Sequence, residues 1–294
     1  MISSDKNSLK RSKNKIITFL SLTFLLSTVF WVQFFLLGEI PSGGGLIGLG
    51  LMWSPGIAAI ITKIVFDRNL RGMGWKWGKT HFVLMGYILP VIVFSLIYIP
   101  IWLFGFAEFS SEYLTSRIAD AVGLEKPISL GLTILIQSTL GLLTVIIPAL
   151  GEEIGWRGLL VPELAKRISF TKMALVVGGI WAIWHYPMMF LGHSEETNML
   201  QHIVFYTVKL LAYSFIISWL VLKSGSIWPA VFMHASGNLF LEGVFNDLTV
   251  SNNITRILLD DAGFGVVGVY IIFAYVFWRK KSEIANSLLK ITNG

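Results

Sequence analysis

Residues 82–104 read FVLMGYILPVIVFSLIYIPIWLF, 23 positions without one charged side chain. A helix needs about 17 to 25 predominantly apolar residues to cross a bilayer. Runs of this kind recur on both sides of the stretch, so the chain reads as all-α, a polytopic transmembrane helix bundle. Apolar length places eight spans near 16–37, 46–66, 82–104, 129–150, 171–191, 203–222, 227–244 and 262–278. No polar stretch between them is long enough to fold as a soluble domain. Residues 1–294 are therefore expected to form a single integral membrane domain that opens with a basic N-terminal tail at 1–15.

Composition agrees with lipid as the solvent: 54% of residues are hydrophobic and 14% charged, whereas soluble domains carry roughly a quarter charged residues. Cysteine is absent, which excludes disulfides, thiolate zinc sites and cysteine nucleophiles. Chemistry then falls to Glu, Asp, His, Ser and Asn. A formal net charge of +6 does not argue for nucleic acid as a partner, because the basic residues sit in short clusters between apolar runs and act as topology signals. With the N-terminus in the cytoplasm, eighteen Lys and Arg fall on inside segments and only Arg117, Lys126 and Arg256 outside. This bias predicts both termini cytoplasmic in a multi-pass protein of the cell membrane. Lys63 and Lys209 fall within spans, the first close enough to an end to snorkel, the second snorkelling or facing the bundle. The first apolar run is too long for a signal-peptide core and has no small-residue cleavage site after it, so a retained span is expected.

Charged and strongly polar side chains are costly at bilayer depth, so those within the spans are informative. Three clusters stand out. The first is Gly151-Glu152-Glu153-Ile154-Gly155-Trp156-Arg157 at the end of the fourth span. If the helix continues, Glu153 and Arg157 lie one turn apart and can pair. Glu152 then points about 100° away from that pair. An unpaired carboxylate in a partly desolvated pocket has a raised pKa and can act as a general base toward water. A structural ion-pair network at the membrane surface accounts equally well for this cluster taken alone. In the second cluster, Trp181 precedes His185 by one turn and can cover its imidazole. In the third, His234 and Asn238 share a helix face, as donors to an oxyanion, as a metal ligand with an amide behind it, or as a helix–helix hydrogen bond. The seventh run, 227–244, carries His234, Ser236, Asn238 and Glu242 and must turn this stripe toward protein or water.

Other features read as decoys. Gly263-Phe264-Gly265-Val266-Val267-Gly268 matches a dinucleotide fingerprint by letters, yet opens an apolar span with no preceding strand, so helix packing accounts for it better. His193, Glu195 and Glu196 fall in an outside loop that is hydrophilic in any case, and no His-Glu-x-x-His motif exists in the chain. Gly43, Gly44 and Gly45, with Gly48 and Gly50, read as a turn leading into a tightly packed helix.

Taken together, the clusters resemble the intramembrane CAAX-protease and bacteriocin-processing family, also called CPBP or Abi. The family's Glu-Glu-x-x-x-Arg is met by Glu152, Glu153 and Arg157, its Phe-x-x-x-His by Trp181 and His185 with tryptophan for phenylalanine, and its His-x-x-x-Asn/Asp by His234 and Asn238. The motifs fall within residues 125–245; the rest of the chain resembles the family only in architecture. The resemblance implies an endopeptidase working in a membrane cavity on a lipidated or hydrophobic peptide or protein substrate. Glu152 with His185 would activate water, His234 and Asn238 would stabilise the oxyanion, and Glu153 and Arg157 would shape the site. A zinc ion held by Glu152, His185 and His234 is one version of that chemistry, and a metal-free glutamate mechanism is equally allowed. The alternative is a non-proteolytic bacteriocin-immunity or protective protein on the same fold. A proton-coupled transporter is a third reading, against which stands the absence of an inverted repeat. Substrate identity and oligomeric state are left open by the sequence.

Overall fold

The computed structural model describes residues 2–38, 45–191, 198–259 and 262–284. His193, Glu195, Glu196, Gly43, Gly44 and Lys290 lie outside the described residues. Within those segments the chain is helical, and its one extended pairing is an isolated bridge between Phe109 and Thr249. In chain order the helices are α1 (Ile2–Leu37), α2 (Gly45–Asp67), α3 (Thr80–Leu103), α4 (Glu112–Ala121), α5 (Leu130–Ala165), α6 (Phe170–Leu191), α7 (Met199–Ser224), α8 (Trp228–Phe240), α9 (Asn253–Leu258) and α10 (Phe264–Arg279).

Six of them, α1, α2, α3, α5, α6 and α7, are long and apolar enough to cross a membrane. The seventh and eighth expected spans form helices that are shorter. At 1.5 Å per residue, α8 with the π-helical turn Leu241–Phe245 that continues it, 13 and 5 residues, extends about 27 Å and the 16 residues of α10 about 24 Å, against a hydrocarbon core of about 30 Å. The shortness of α8 is offset by burial, since almost every side chain from Pro229 to Phe240 is enclosed. It packs mainly on α3, with α5 and α7 on its other sides. Of its polar stripe, His234 and Ser236 are buried in this way, while Asn238 and Glu242 are exposed and line a cavity between the helices.

Two boundaries differ from the apolar runs. The basic tail is helical from Ile2 onward and docked: Lys15 bonds Asp67 at 2.6 Å and Glu163 at 3.3 Å, and Ser12 donates to the Glu163 carbonyl. The fourth span does not end near residue 150. It continues as α5 to Ala165, with π-helical turns at Gln137–Gly141 and Trp156–Leu160. Arg157 is therefore not a loop residue on an inside segment; it is fully buried on a helix.

Glycines set the approach of α2 to α5. A Cβ on Gly56 would lie 2.5 Å from the Gly151 carbonyl oxygen, and one on Gly155 would lie 2.5 Å from the Pro55 side chain. Small residues let membrane helices close to backbone contact. With Gly151 and Gly155 against α2, the helical repeat turns Glu152 and Glu153 roughly 100° and 200° away, toward the interior. The Gly263–Gly268 stretch opens α10, where a Cβ on Gly265 would lie 2.9 Å from the Leu258 carbonyl oxygen. This is the packing role expected of it.

Candidate active site

Four of the side chains singled out by sequence, Glu152, His185, His234 and Asn238, line one cavity of about 230 Å³. They reach it from α5, α6 and α8, with Trp181 beside them. Glu152 and Trp181 are almost fully buried, His185 is half-buried, and Asn238 is exposed toward the opening. Glu153 and Arg157 stand behind the cavity wall, both without measurable exposure.

Glu152 is not an unpaired carboxylate. Its Oε2 accepts from the indole of Trp181 at 2.7 Å and, more loosely, from that of Trp156 at 3.3 Å. Both donors grip the same oxygen, which orients the carboxylate and leaves Oε1 outside those two bonds.

Glu153 pairs with Arg157 as the i,i+4 spacing predicts, Nη1 to Oε1 at 3.0 Å. The same Oε1 also bonds His234 Nδ1 at 2.9 Å. A carboxylate accepts and does not donate, so Nδ1 carries the hydrogen and Nε2 is the ring atom left for the cavity. On α6, His185 Nδ1 lies 2.9 Å from the Trp181 carbonyl oxygen. A carbonyl can only accept, so the proton again sits on Nδ1, and Nε2 is available as a base or hydrogen-bond acceptor.

Trp181 binds these parts into one unit. Besides holding Glu152, its ring lies under the Arg157 guanidinium at 4.1 Å and packs edgewise against His185 and His234, with centroid distances of 5.8 and 5.4 Å. From spacing alone its only evident task was to cover His185. Its indole N–H does more than phenylalanine could, since phenylalanine has no donor.

Lys209 also lines the cavity, buried to 8% exposure with its ammonium 4.3 Å over the Tyr206 ring. Of its two possible placements, snorkelling or facing the bundle, the structure shows the second. Tyr206 was not foreseen; the hint was that Lys209 is a lysine at bilayer depth.

The zinc arrangement can be compared with these positions. Both Nδ1 atoms are engaged, as in metal-ligating histidines. Yet among the described residues no three His, Asp or Glu side chains come together closely enough to hold an ion, and two indoles occupy Glu152 Oε2. As placed, the residues do not fit a preformed zinc centre.

Fold and site together define a helical membrane protein with a buried carboxylate–histidine cavity. Residues 133–240 match the family described as type II CAAX prenyl endopeptidase Rce1-like, a range that contains all seven residues of the three motifs. Over 137 residues the chain is 28% identical to CAAX prenyl protease 2 of Methanococcus maripaludis, covering 45% of this chain and 49% of that protein. The chain thus spans about half the length of the curated relative it matches. The resemblance drawn from the three clusters is borne out over this stretch.

Proposed function

We propose that the protein is an intramembrane endopeptidase that hydrolyses a peptide bond in a lipidated or hydrophobic peptide, with Glu152 as general base. The observation that carries this reading is the convergence of Glu152, His185, His234 and Asn238, from three helices, on one cavity. The similarity of residues 133–240 to CAAX prenyl endopeptidases supports it.

In the proposed reaction a water molecule sits between Glu152 and His185 Nε2. Glu152 takes its proton as the oxygen bonds to the carbonyl carbon. The oxyanion that forms receives hydrogen bonds from the Asn238 carboxamide and from Nε2–H of a protonated His234, whose Nδ1–H is held by Glu153. Glu152 then passes its proton to the leaving nitrogen as the C–N bond breaks. Arg157 keeps Glu153 in place through the bond at 3.0 Å. Enclosure by the bundle strengthens each of these interactions by excluding bulk water. The positive-inside bias supports a cytoplasmic N-terminus.

The test is to incubate the purified, reconstituted protein with lipidated and hydrophobic peptides and follow cleavage by mass spectrometry. Cleavage by the native chain and none by Glu152→Ala supports the proposal. Equal cleavage by both removes Glu152 from the role.

A further inference from the structure

A second, larger cavity of about 610 Å³ opens among the N-terminal part of α1, the end of α2, the turn at 71–74, the last turns of α5 and the end of α7. It shares no lining residue with the first cavity and meets that site only at Arg157, which pairs with Glu153 behind the first cavity and lines the second. Its floor is apolar, with Met73, Leu159, Val221, Leu222 and Ile227 among its lining. Five cations, Lys15, Lys63, Arg71, Arg157 and Lys166, and two carboxylates, Asp67 and Glu163, also line it; of these, Arg157 is paired with Glu153.

Both carboxylates are already paired with cations. Asp67 accepts from Lys15 and Lys63, each at 2.6 Å, and from Arg11 at 3.1 Å. Glu163 accepts from Lys15 at 3.3 Å and Lys166 at 2.9 Å. The two acids, Glu163 buried and Asp67 partly so, thus share four cations, Arg11, Lys15, Lys63 and Lys166, and the exposed Arg71 adds a further positive charge at the mouth. The surplus is positive, and it belongs to the end of the bundle where the basic residues of α1 lie.

We infer that this cavity binds the head of an anionic phospholipid, its phosphate against Arg71 and Lys166 and its glycerol and first methylenes over Met73, Leu159 and Leu222. Two features of the cavity select this occupant together. A surplus of cations calls for an anion, and basic pockets between membrane helices recognise anionic head groups. An apolar floor calls for a ligand with hydrocarbon joined to the anion, since a free phosphate would leave that floor against water. The volume lies within the range of about 300 to 1,000 Å³ that small-molecule sites occupy.

The experiment is native mass spectrometry of the full chain in detergent, titrated with dioleoyl phosphatidylglycerol and, in parallel, with dioleoyl phosphatidylcholine. The native chain should retain the anionic lipid about tenfold or more tightly than the zwitterionic one. Arg71→Gln with Lys166→Gln, both at exposed positions, should reduce that preference about tenfold or more, as two lost cations predict. Ala165→Trp, which fills the cavity and keeps every charge, should lower retention of the anionic lipid as well. Millimolar inorganic phosphate should displace little of it. Equal retention of both lipids, or a preference untouched by the double variant and by Ala165→Trp, would overturn the inference. Full displacement by inorganic phosphate would make the site one for free anions and overturn the lipid assignment.

Discussion

Two clusters in this bundle each hold two carboxylates, one fully enclosed and one partly exposed, and they are built in opposite ways. Around Asp67 and Glu163 stand Arg11, Lys15, Lys63 and Lys166, so each acid meets at least two cations. Around Glu152 and Glu153 there is one guanidinium, Arg157, and Glu153 takes it. Glu152 is bonded by indole N–H groups and shares its cavity with two imidazoles and one ammonium, that of Lys209. A carboxylate surrounded by ammonium groups is neutralised and ties helices together. A carboxylate whose hydrogen bonds come from indole N–H groups is not consumed in such a tie. Residue type does not distinguish the two clusters, whereas the ratio of cations to acids does.

If this contrast governs function, substitutions should rank by cluster. The largest effect belongs to Glu152→Ala, which should lower kcat by about 10² to 10⁴, the usual contribution of a general base, while the protein still inserts and folds; peptide cleavage and far-UV circular dichroism check the two halves. Next is Glu153→Gln, which leaves the Arg157 guanidinium buried without a carboxylate. Breaking a buried pair from one side typically costs about 3 to 5 kcal/mol, so a marked fall in the thermal unfolding midpoint is expected. Trp181→Phe keeps the ring against His185 and removes the 2.7 Å hydrogen bond to Glu152. At about 1.5 kcal/mol for a hydrogen bond to a charged group, turnover should drop roughly tenfold with little loss of stability. The smallest effect should come from Lys166→Ala in the cation-rich cluster. That side chain is 52% exposed, and its removal should change stability by less than about 1 kcal/mol.

Much of the fold was legible in the sequence, because an uncharged apolar run of bilayer length is rarely compatible with a water-facing helix or strand. What the runs could not show was where a helix continues through polar residues. The fourth run fades after residue 150, yet α5 holds its course to Ala165 because Gly151 and Gly155 press on α2 and the polar side chains find partners inside. The converse holds for α8, whose polar stripe required protein or water around it: His234 and Ser236 are buried, and Asn238 and Glu242 open onto the cavity.

For the site, spacing along each helix was readable and bonds between helices were not. The pairing of Glu153 with Arg157 follows from four-residue spacing. The bond from His234 to Glu153 joins residues 81 positions apart, and the one from Trp181 to Glu152 joins residues 29 apart. No local periodicity encodes either. Tryptophan in place of phenylalanine at 181 was visible from the start, and only the three-dimensional arrangement gives its indole N–H a partner.

The most direct test of the account is a single-turnover cleavage in H₂¹⁸O, comparing the native chain with Glu152→Gln, which keeps the shape of the side chain and removes its basicity. The account predicts that the native chain yields a product whose new carboxyl terminus carries one ¹⁸O, and that Glu152→Gln yields almost none. Product without the label, or equal product from Glu152→Gln, would contradict it.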